Sequence, residues 1–394
     1  MLPGTVLNRP KNDCLIYQLK LYCFLLFTIA SLHLTAQDSA PSDSLATTET
    51  KNLYRNLFNL AGKGYMVGHQ DDLAYGVKWK YKPGRSDIKD VTGDYPALYG
   101  WDLGGIERVN SKANLDGVPF KKIRQFIREA YDRGGVSTVS WHADSPLGKP
   151  GGAWDTTHGT ITSILPGGSN HQLYKTWLDK VAAFFHSLKG SKGEAIPVIF
   201  RPYHELTGGW FWWGKGPATT LEFVTLWSYT YYYLTREKNL HNLLWCYNTS
   251  GDFADREGFL ERYPGDGMVD LISFDTYQYG NPATSGEFAV KTEHLLSILS
   301  GIASEKHKLF ALGETGYEAI PYAQWWTGTL DKAIGSNRIS YVLLWRNHGY
   351  HESMKRMHYY VPYKGQVSAA DFVKYYGQGN TLFGKDVKSF GLYK

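Results

Sequence analysis

Residues 195–214 have the sequence AIPVIFRPYHELTGGWFWWG, an apolar run followed at once by a crowded polar and aromatic stretch. The run 196–200 has the length and composition of a buried strand, and it ends where Arg201, His204 and Glu205 begin. Five aromatic rings share residues 201–214 with these polar groups. So many rings and charges at the end of a strand predict a functional site rather than ordinary surface.

The same pattern recurs along the chain, in eight short apolar runs that end in polar side chains. Several are almost continuously apolar, as expected for strands covered on both faces. The longer segments between them repeat apolar residues at steps of three and four, which predicts helices. The runs are GYMVGHQ (64–70), PALYGWD (96–102), GVSTVSWH (135–142), IPVIFRP (196–202), HNLLWCYN (241–248), VDLISFDTY (269–277), KLFALGE (308–314) and ISYVLLWRN (339–347).

Eight strands alternating with helices favour an α/β fold, a (β/α)8 TIM barrel that forms a single catalytic domain over residues 50–394. A doubly wound open sheet shows the same alternation, and periodicity alone does not separate the two. Hydrophobic residues make up 43% and charged residues 20% of the 394 residues, which is ordinary globular composition.

The N-terminus has the pattern of an export signal. Basic residues precede the apolar run LYCFLLFTIASLHL (21–34), and small residues follow it. We therefore predict a signal peptide over residues 1–36, a flexible polar leader over 37–49 and a periplasmic or secreted protein. A retained N-terminal anchor is the alternative.

The remaining composition limits the partners. The formal charge of +5 comes without a long basic run, so we expect no nucleic-acid partner. No GxGxxG motif lies between a strand and a helix, and we expect no cofactor. After removal of the signal, Cys246 is the one cysteine left, and its apolar run predicts a buried, inert thiol. We expect a monomer that has no membrane contact once the signal is removed.

Polar residues at the C-terminal ends of the runs are the candidate site, because barrel enzymes hold their active sites there. Glu205 follows run four and Glu314 ends run seven. A pair of carboxylates is the machinery of glycoside hydrolysis, and aromatic walls raise the pKa of the one that acts as the acid. If the reaction retains configuration, the two carboxyl groups should lie about 5–5.5 Å apart.

A metal site is the competing interpretation of the same ends. His69, His142 and His204 could bind a metal together with Asp102 or Asp144. The sequence has neither an HxH nor an HExxH spacing, so we predict that no metal takes part.

Four stretches resemble family 26 glycoside hydrolases, which are mostly β-mannanases. They are RPYHELTGGWFWWG (201–214), VDLISFDTYQY (269–279), LFALGETG (309–316) and YVLLWRN (341–347). The resemblance covers nearly all of residues 50–394, and the His-Glu pair followed by GGWFWW is its most specific part. It implies a retaining barrel enzyme with an acid/base on strand four and a nucleophile on strand seven.

The resemblance also implies roles for individual residues. Glu205 is the acid/base and Glu314 the nucleophile. His204 binds near the substrate 2-hydroxyl, and Tyr277, or alternatively Tyr279, donates a hydrogen bond to Glu314. The other implied substrate-binding residues are His142, Trp210, Trp345, Arg346, Trp101 and Asp102.

Trp212 and Trp213 could have a purely structural role in core packing, and we prefer this interpretation for one of the two. Arg201 is a candidate anchor for the two carboxylates.

The sequence thus predicts an exported enzyme of the endo-β-mannanase type that cleaves β-1,4-mannosidic bonds in mannan, galactomannan or glucomannan by double displacement. Its partner is then the β-mannan polysaccharide or manno-oligosaccharides. The alternatives are the same machinery acting on mixed-linkage β-glucan or β-1,3-xylan, and a glycan-binding barrel without catalysis. Loops 71–93 and 143–170 leave endo- and exo-action open.

Overall fold

The computed structural model describes Met1 and residues 40–394. The predicted signal peptide beyond Met1, together with leader residues 37–39, lies outside the described residues. Residues 40–394 form one compact unit built on eight parallel strands in sequence order. The strands are β1 Tyr65–Gln70, β2 Leu98–Asp102, β3 Val136–Trp141, β4 Val198–Pro202, β5 Leu243–Ser250, β6 Leu271–Asp275, β7 Leu309–Thr315 and β8 Tyr341–Leu344.

The sheet closes on itself. Strand β8 pairs with β1, with Met66 opposite Tyr341 and His69 opposite Leu344. Each of the eight predicted runs contains one barrel strand. The predicted (β/α)8 barrel is confirmed, and the open sheet is excluded because an open sheet leaves its first and last strands unpaired.

Helices surround the barrel. The buried residues of one of them, residues 120–132, recur at three- and four-residue steps from Phe120 to Ala130, which explains why this segment is helical and which face it buries. The helices are α1 Thr48–Ala61, α2 Asp87–Thr92, α3 Phe120–Asp132, α4 Thr160–Ile164, α5 His171–His186, α6 Thr220–Tyr232, α7 Arg256–Leu260, α8 Glu287–Lys306, α9 Asp331–Ile334, α10 Ala369–Tyr376 and α11 Gly384–Phe390. Short 3-10 turns span Gly152–Trp154 and Asp266–Met268, and π turns span Tyr233–Glu237 and Trp326–Leu330.

The N-terminal end of the barrel is closed by apolar side chains. One apolar cluster joins barrel residues such as Met66, Leu271 and Leu309 to residues of α1 and of the C-terminal segment. These strand residues lie at or near the N-terminal ends of their strands, so α1 covers that end of the barrel. Cys246 belongs to this cluster, and burial raises the pKa of its thiol to about 12, as expected for an inert cysteine.

The predicted flexible leader is wrong for its second half. Asp43 is buried, its carboxylate lies 2.7 Å from the Nδ1 of His241, and the backbone N–H of Thr47 donates to the carbonyl of the same histidine. Thr47 also caps α1, which begins at Thr48. A short polar stretch looks flexible in sequence because its partners lie nearly two hundred residues away.

Two small antiparallel hairpins decorate the C-terminal end of the barrel. One joins Tyr75–Gly76 to Trp79–Lys80, and the other joins Gly349–His351 to Arg356–His358. A further short strand, Thr381–Leu382, pairs with the start of β1. None of the helices within residues 40–394 combines the length and apolar character needed to cross a membrane.

Candidate active site

The two predicted catalytic glutamates meet at the C-terminal end of the barrel. Glu314 lies within β7, and Glu205 follows β4 after a tight turn in which Tyr203 has φ 53° and Glu205 has φ 54°. Residues other than glycine rarely adopt such backbone angles, so surrounding contacts must hold the turn in place. The backbone N–H of Glu205 donates to Asn248 Oδ1 at 3.0 Å, and Trp213 Nε1 donates to the carbonyl of His204 at 2.9 Å.

The loop after the turn explains the cluster of tryptophans. Trp212 and Trp213 are both fully buried, although we expected one of the two to lie outside the core. Their indole N–H groups donate to the backbone carbonyls of Ala143 and His204, both at 2.9 Å. Buried Arg262 donates to four carbonyls of the same loop and the segment that follows it. These residues position Glu205 from behind, without facing the cleft.

The carboxylates are close enough to act on the two atoms of one bond. One oxygen each from Glu205, Asp275 and Glu314 lies within 4.8 Å of the other two. The separation required for a nucleophile and an acid on one bond is about 5–5.5 Å, whereas an inverting pair stands about 6.5–9.5 Å apart. One oxygen of each glutamate thus lies nearer to the other than the wider arrangement would place them.

Glu314 is held by donors on both oxygens. Arg201 Nη2 donates to Oε1, and the Tyr277 hydroxyl donates to Oε2 at 2.8 Å. Of the two tyrosines considered from the sequence, Tyr277 makes this contact, while Tyr279 is 82% exposed. Two donors, one on each oxygen, fix the orientation of this buried carboxylate.

Arg201 is the electrostatic centre of this side of the site. Burial alone lowers the pKa of Arg201, but the Glu314 and Asp275 carboxylates outweigh it and hold the pKa well above its usual value. Its second contact is Asp275 Oδ2 at 2.9 Å, and Asn248 accepts from the same guanidinium at 3.2 Å. The anchoring role expected for Arg201 agrees with this geometry.

Glu205 has the opposite environment. Burial, followed by the negative charge of Glu314, raises the pKa of Glu205 to about 7. One donor, the indole N–H of Trp210 at 2.8 Å, works against this shift. Glu205 therefore holds a proton at a pH where an ordinary glutamate has lost it.

A pair of histidines forms the wall beside Glu205. Burial alone lowers the pKa of His142, but Asp102, 2.7 Å from its Nδ1, outweighs burial and raises the pKa. Burial, followed by the charges of His142 and Arg201, lowers the pKa of His204 well below its usual value. The two Nε2 atoms lie 3.1 Å apart, within hydrogen-bond distance of each other.

Asp102 reaches the site through His142 rather than directly. It is buried, accepts from Ser140 Oγ at 2.6 Å and does not line the cleft. Trp345 does line the cleft, together with Trp210. Arg346 pairs with Asp116, and neither residue of that ion pair belongs to the cleft lining.

The prediction for Trp101 as a substrate-binding residue is corrected. Its indole is fully buried and stacks on Phe126 of α3, with 5.6 Å between the ring centroids. Neighbouring side chains on a strand point to opposite faces, and Asp102 takes the inward direction. Trp101 therefore packs between the barrel and its helices and makes no contact with the cleft.

Several site residues were not found from the sequence. The cleft has a volume of about 360 Å³ and is also lined by Trp154, Phe211 and Tyr360. Trp154 stacks on His142 from the loop 143–170, one of the two loops that left endo- and exo-action open in the sequence. Asn248 ends run five, so its polar position at a strand end was a usable signal that we did not weigh. Tyr360 and the neighbouring hairpin carried no signal of their own.

The structure brings together only some of the candidate metal ligands. His142 and His204 are adjacent, but the Nδ1 of His69 lies 2.7 Å from Asp72, and Asp144 pairs with Arg108. Among the described residues, the group whose potential ligand atoms lie close together is Glu205, Asp275 and Glu314. Arg201 already supplies the positive charge next to two of these carboxylates.

Comparisons with known proteins agree on one family. Residues 42–341 match the family model described as glycosyl hydrolase family 26. A mannan endo-1,4-beta-mannosidase of Bifidobacterium adolescentis is 33% identical over 349 residues, which is 84% of this chain and 34% of that protein. The chain thus spans about a third of the length of this curated relative.

Solved structures give the same result. A GH26 beta-mannanase from Bacteroides ovatus is 43% identical, with a TM-score of 0.83 over 88% of this chain and 98% of that one. The catalytic domain of an endo-beta-1,4-mannanase from Bacillus sp. JAMB-750 is 32% identical, with a TM-score of 0.80 over 90% of this chain and 96% of that one.

Proposed function

The chain belongs to glycosyl hydrolase family 26, and we propose that it hydrolyses β-1,4-mannosidic bonds within mannan, galactomannan or glucomannan with retention of configuration. The observation that carries this proposal is the pair of carboxylates, Glu205 and Glu314, within 4.8 Å of each other but in opposite electrostatic surroundings. The relatives named above act on mannan according to their names, which supports the substrate class.

In the first step, Glu314 attacks the anomeric carbon while Glu205 gives its proton to the departing glycosidic oxygen. Arg201 and Tyr277 orient the Glu314 carboxylate for this attack through their hydrogen bonds. The pKa of about 7 keeps the proton on Glu205 available near neutral pH. A covalent glycosyl-enzyme results, with the sugar esterified to Glu314.

In the second step, the same Glu205 takes a proton from a water molecule as that water attacks the anomeric carbon, and the bond to Glu314 breaks to release its carboxylate. The negative charge of Glu314 is one of the two causes that raise the pKa of Glu205. That charge disappears when the ester forms, so the pKa of Glu205 falls and the residue becomes a base. The close spacing of the two carboxylates therefore serves both halves of the reaction.

Sugar binding is assigned to the walls of the cleft. The rings of Trp345, Trp210 and Trp154 offer flat faces for pyranose rings. His142 and His204 line the same cleft, and the Tyr277 hydroxyl donates to the nucleophile. We place these residues around the bond to be cleaved, while Asp102 acts by holding His142.

The test is hydrolysis of a panel of purified polysaccharides. Reducing ends should be released from galactomannan and glucomannan, and NMR should show the β-anomer of the product first. Faster release from mixed-linkage β-glucan or β-1,3-xylan would replace mannan by that glycan. Binding to mannan without release of reducing ends would favour a non-catalytic barrel, and an initial α-product would overturn retention. A Glu205→Gln variant controls for contaminating enzymes.

Export is the second part of the proposal. It is supported by the basic residues, the apolar run 21–34 and the small residues after it. N-terminal sequencing of protein recovered outside the cytoplasm should then begin near Gln37. Exported protein that begins at Met1 and stays in the membrane would show a retained anchor instead.

A further inference from the structure

Another cavity lies at the N-terminal end of the barrel, opposite the end that holds the two glutamates. It has a volume of about 170 Å³ and is bounded by the segments that lead into β2 and β3 and by the start of α11. Tyr95, Pro96 and Tyr99 form an aromatic and apolar wall. The charged residues of the lining are Asp94, Arg133, Lys385 and Lys388. The proposed hydrolysis gives no task to this cavity.

Arg133 is the unusual member of the lining. Its guanidinium lies over two rings, 4.5 Å from the ring centroid of Tyr95 and 5.7 Å from that of Tyr99. Its Nε and Nη2 are buried and have no hydrogen-bond partner among the described residues. The buried arginines Arg201 and Arg262, in contrast, each donate to several acceptors. A half-buried cation without acceptors is costly unless a counter-charge accompanies it.

We infer that this cavity binds one phosphate group, with Arg133, Lys385 and Lys388 as the cations that hold it. None of the ion pairs between described residues includes any of these three side chains. A planar guanidinium matches the geometry of a phosphate, and ammonium groups add positive charge around it. The 170 Å³ equal the share of about five or six water molecules at about 30 Å³ each, which admits a phosphate group but excludes a nucleotide.

One carboxylate also lines the cavity, but its charge is already compensated. Asp94 is buried, and its Oδ1 accepts from the backbone N–H of Tyr95 at 2.8 Å. Its Oδ2 accepts from the backbone N–H of Lys385 at 3.0 Å. Asp132 and Asp386, which neighbour the cations in sequence, do not belong to the lining. Three cations against one carboxylate leave a positive cavity, which favours an anion.

A bound phosphate group would connect parts of the chain that are distant in sequence. Arg133 follows directly after α3, whereas Lys385 and Lys388 belong to α11. The backbone already links α11 to the segment before β2, because the N–H of Gly384 donates to the carbonyl of Tyr95 at 2.8 Å. The anion would add a bridge of charges between α11 and the end of α3. We therefore assign it a stabilising role at the base of the barrel.

The experiment measures phosphate binding by the full chain in a phosphate-free buffer at constant ionic strength. Calorimetric titration with sodium phosphate should show one saturable site per chain, and sodium chloride should show none. Phosphate should also raise the Tm, because a ligand of the folded state stabilises it. Phenyl phosphate separates the two sources of the group. Tighter binding than inorganic phosphate would identify a phosphate monoester packed on Tyr95 and Tyr99, and equal or weaker binding would identify the free ion.

Variants locate the phosphate group. Arg133→Gln should weaken phosphate binding about 10–100-fold, as expected for loss of a hydrogen bond between charged groups. Lys385→Gln and Lys388→Gln should each weaken it about two- to fivefold, because these side chains are exposed. Since the two lysines lie outside the core, their variants test the site even where Arg133→Gln fails to fold. Lys291→Gln removes an exposed lysine of α8 and should leave phosphate affinity unchanged.

Three results would overturn the proposal. The first is the absence of saturable phosphate binding by the wild-type chain. The second is an equal rise of the Tm in phosphate and in chloride, which would reveal a general effect of salt. The third is binding that survives the arginine and lysine variants but is lost in His142→Ala, which would place the anion in the cleft. None of these readouts depends on hydrolysis of a glycan, so the result stands apart from the proposed enzymatic function.

Discussion

The end of β7 and the loop after β4 each supply one glutamate to the same cleft, yet they build opposite surroundings for it. Around Glu314, Arg201 and Tyr277 donate to both oxygens, and burial is compensated by charge. Around Glu205, the indole N–H of Trp210 donates one hydrogen bond to the carboxyl group. Burial and the nearby charge of Glu314 nevertheless raise the pKa of Glu205. One region therefore stabilises a negative charge, and the other stabilises a proton.

The difference shows that residue type alone does not assign a role to a carboxylate. Arg201 forms an ion pair with Glu314, whereas burial and the charge of Glu314 raise the pKa of Glu205. Arg201 lies on β4, the strand that leads to Glu205, but its guanidinium contacts Glu314 and Asp275 across the barrel. Glu205, the glutamate nearer to Arg201 in sequence, is therefore the one with the raised pKa.

The largest effects are expected when either of the two glutamates is replaced. Glu314→Ala should abolish turnover of every substrate, because no glycosyl-enzyme can form. Glu205→Ala should slow polymer hydrolysis by about 10²–10⁴-fold. With dinitrophenyl β-mannobioside, whose leaving group needs no proton, Glu205→Ala should recover turnover in azide and yield the β-glycosyl azide.

Product identification by NMR checks this assignment. Formation of the β-azide by Glu314→Ala, and not by Glu205→Ala, would reverse the two roles. Unchanged polymer hydrolysis in both variants would show that this pair is not the catalytic pair.

Loss of the Tyr277 hydroxyl should be the next largest effect. Tyr277→Phe removes a hydrogen bond to a charged group, worth about 1.5–3 kcal/mol, so kcat/KM should fall about 10- to 100-fold. Tyr279→Phe removes the same atom from a ring that is 82% exposed and should change kcat/KM about twofold or less. Equal losses in the two variants would contradict the contact between Tyr277 and the nucleophile.

The pH profile of kcat/KM tests the raised pKa of Glu205. Glu205 must be protonated for the first step, so kcat/KM should fall as pH rises through about 7. Trp210 donates to Glu205 and favours its ionised form, so Trp210→Phe should raise this pKa and move the alkaline limb upward. Because Trp210 is 41% exposed, we expect a shift of less than about one pH unit. An alkaline limb that moves downward would contradict the assigned hydrogen bond.

The smallest effect on catalysis is expected at Trp101. Trp101→Phe should leave KM within about twofold of wild type, because the indole packs on Phe126 outside the cleft. The same change should lower the free energy of unfolding by about 1–2 kcal/mol, because it opens space in a buried layer. Trp345→Phe is the matched control, since its ring lines the cleft and should alter KM more than Tm. A large rise in KM for Trp101→Phe would return this residue to the binding site.

Trp101 also shows where sequence reasoning reached its limit. Trp101 and Asp102 are consecutive strand residues, so alternation forbids both from facing the barrel interior. The sequence alone did not say which one turns inward, because either could pack. The structure decides it by pairing Asp102 with His142 and Trp101 with Phe126.

Asn248 is a different kind of omission. It lies at the end of a predicted strand, yet its importance comes from four contacts to two other strands, β4 and β6, and to the loop after β4. It accepts from Arg201 and from the backbone of Glu205, and it donates to Ser273 and Asp275. No spacing along the chain expresses such a network, because its members are between 25 and 47 residues away.

The sequence by itself determined the eight strands, their alternation with helices and the positions of the two catalytic candidates at strand ends. Strands of a closed parallel barrel are buried on both faces, so they appear as short apolar runs that any reader of the chain can count. The aromatic crowding after β4 likewise marked the site before its geometry was known.

The folded structure was needed to establish the raised pKa of Glu205, the contact of Tyr277 rather than Tyr279 with the nucleophile, and the direction of Trp101. Each of these depends on charges and contacts contributed by several strands and loops at once. Strand patterning is a local property that the chain carries in its spacing, whereas a pKa or a side-chain contact is a sum over neighbours that folding alone brings together.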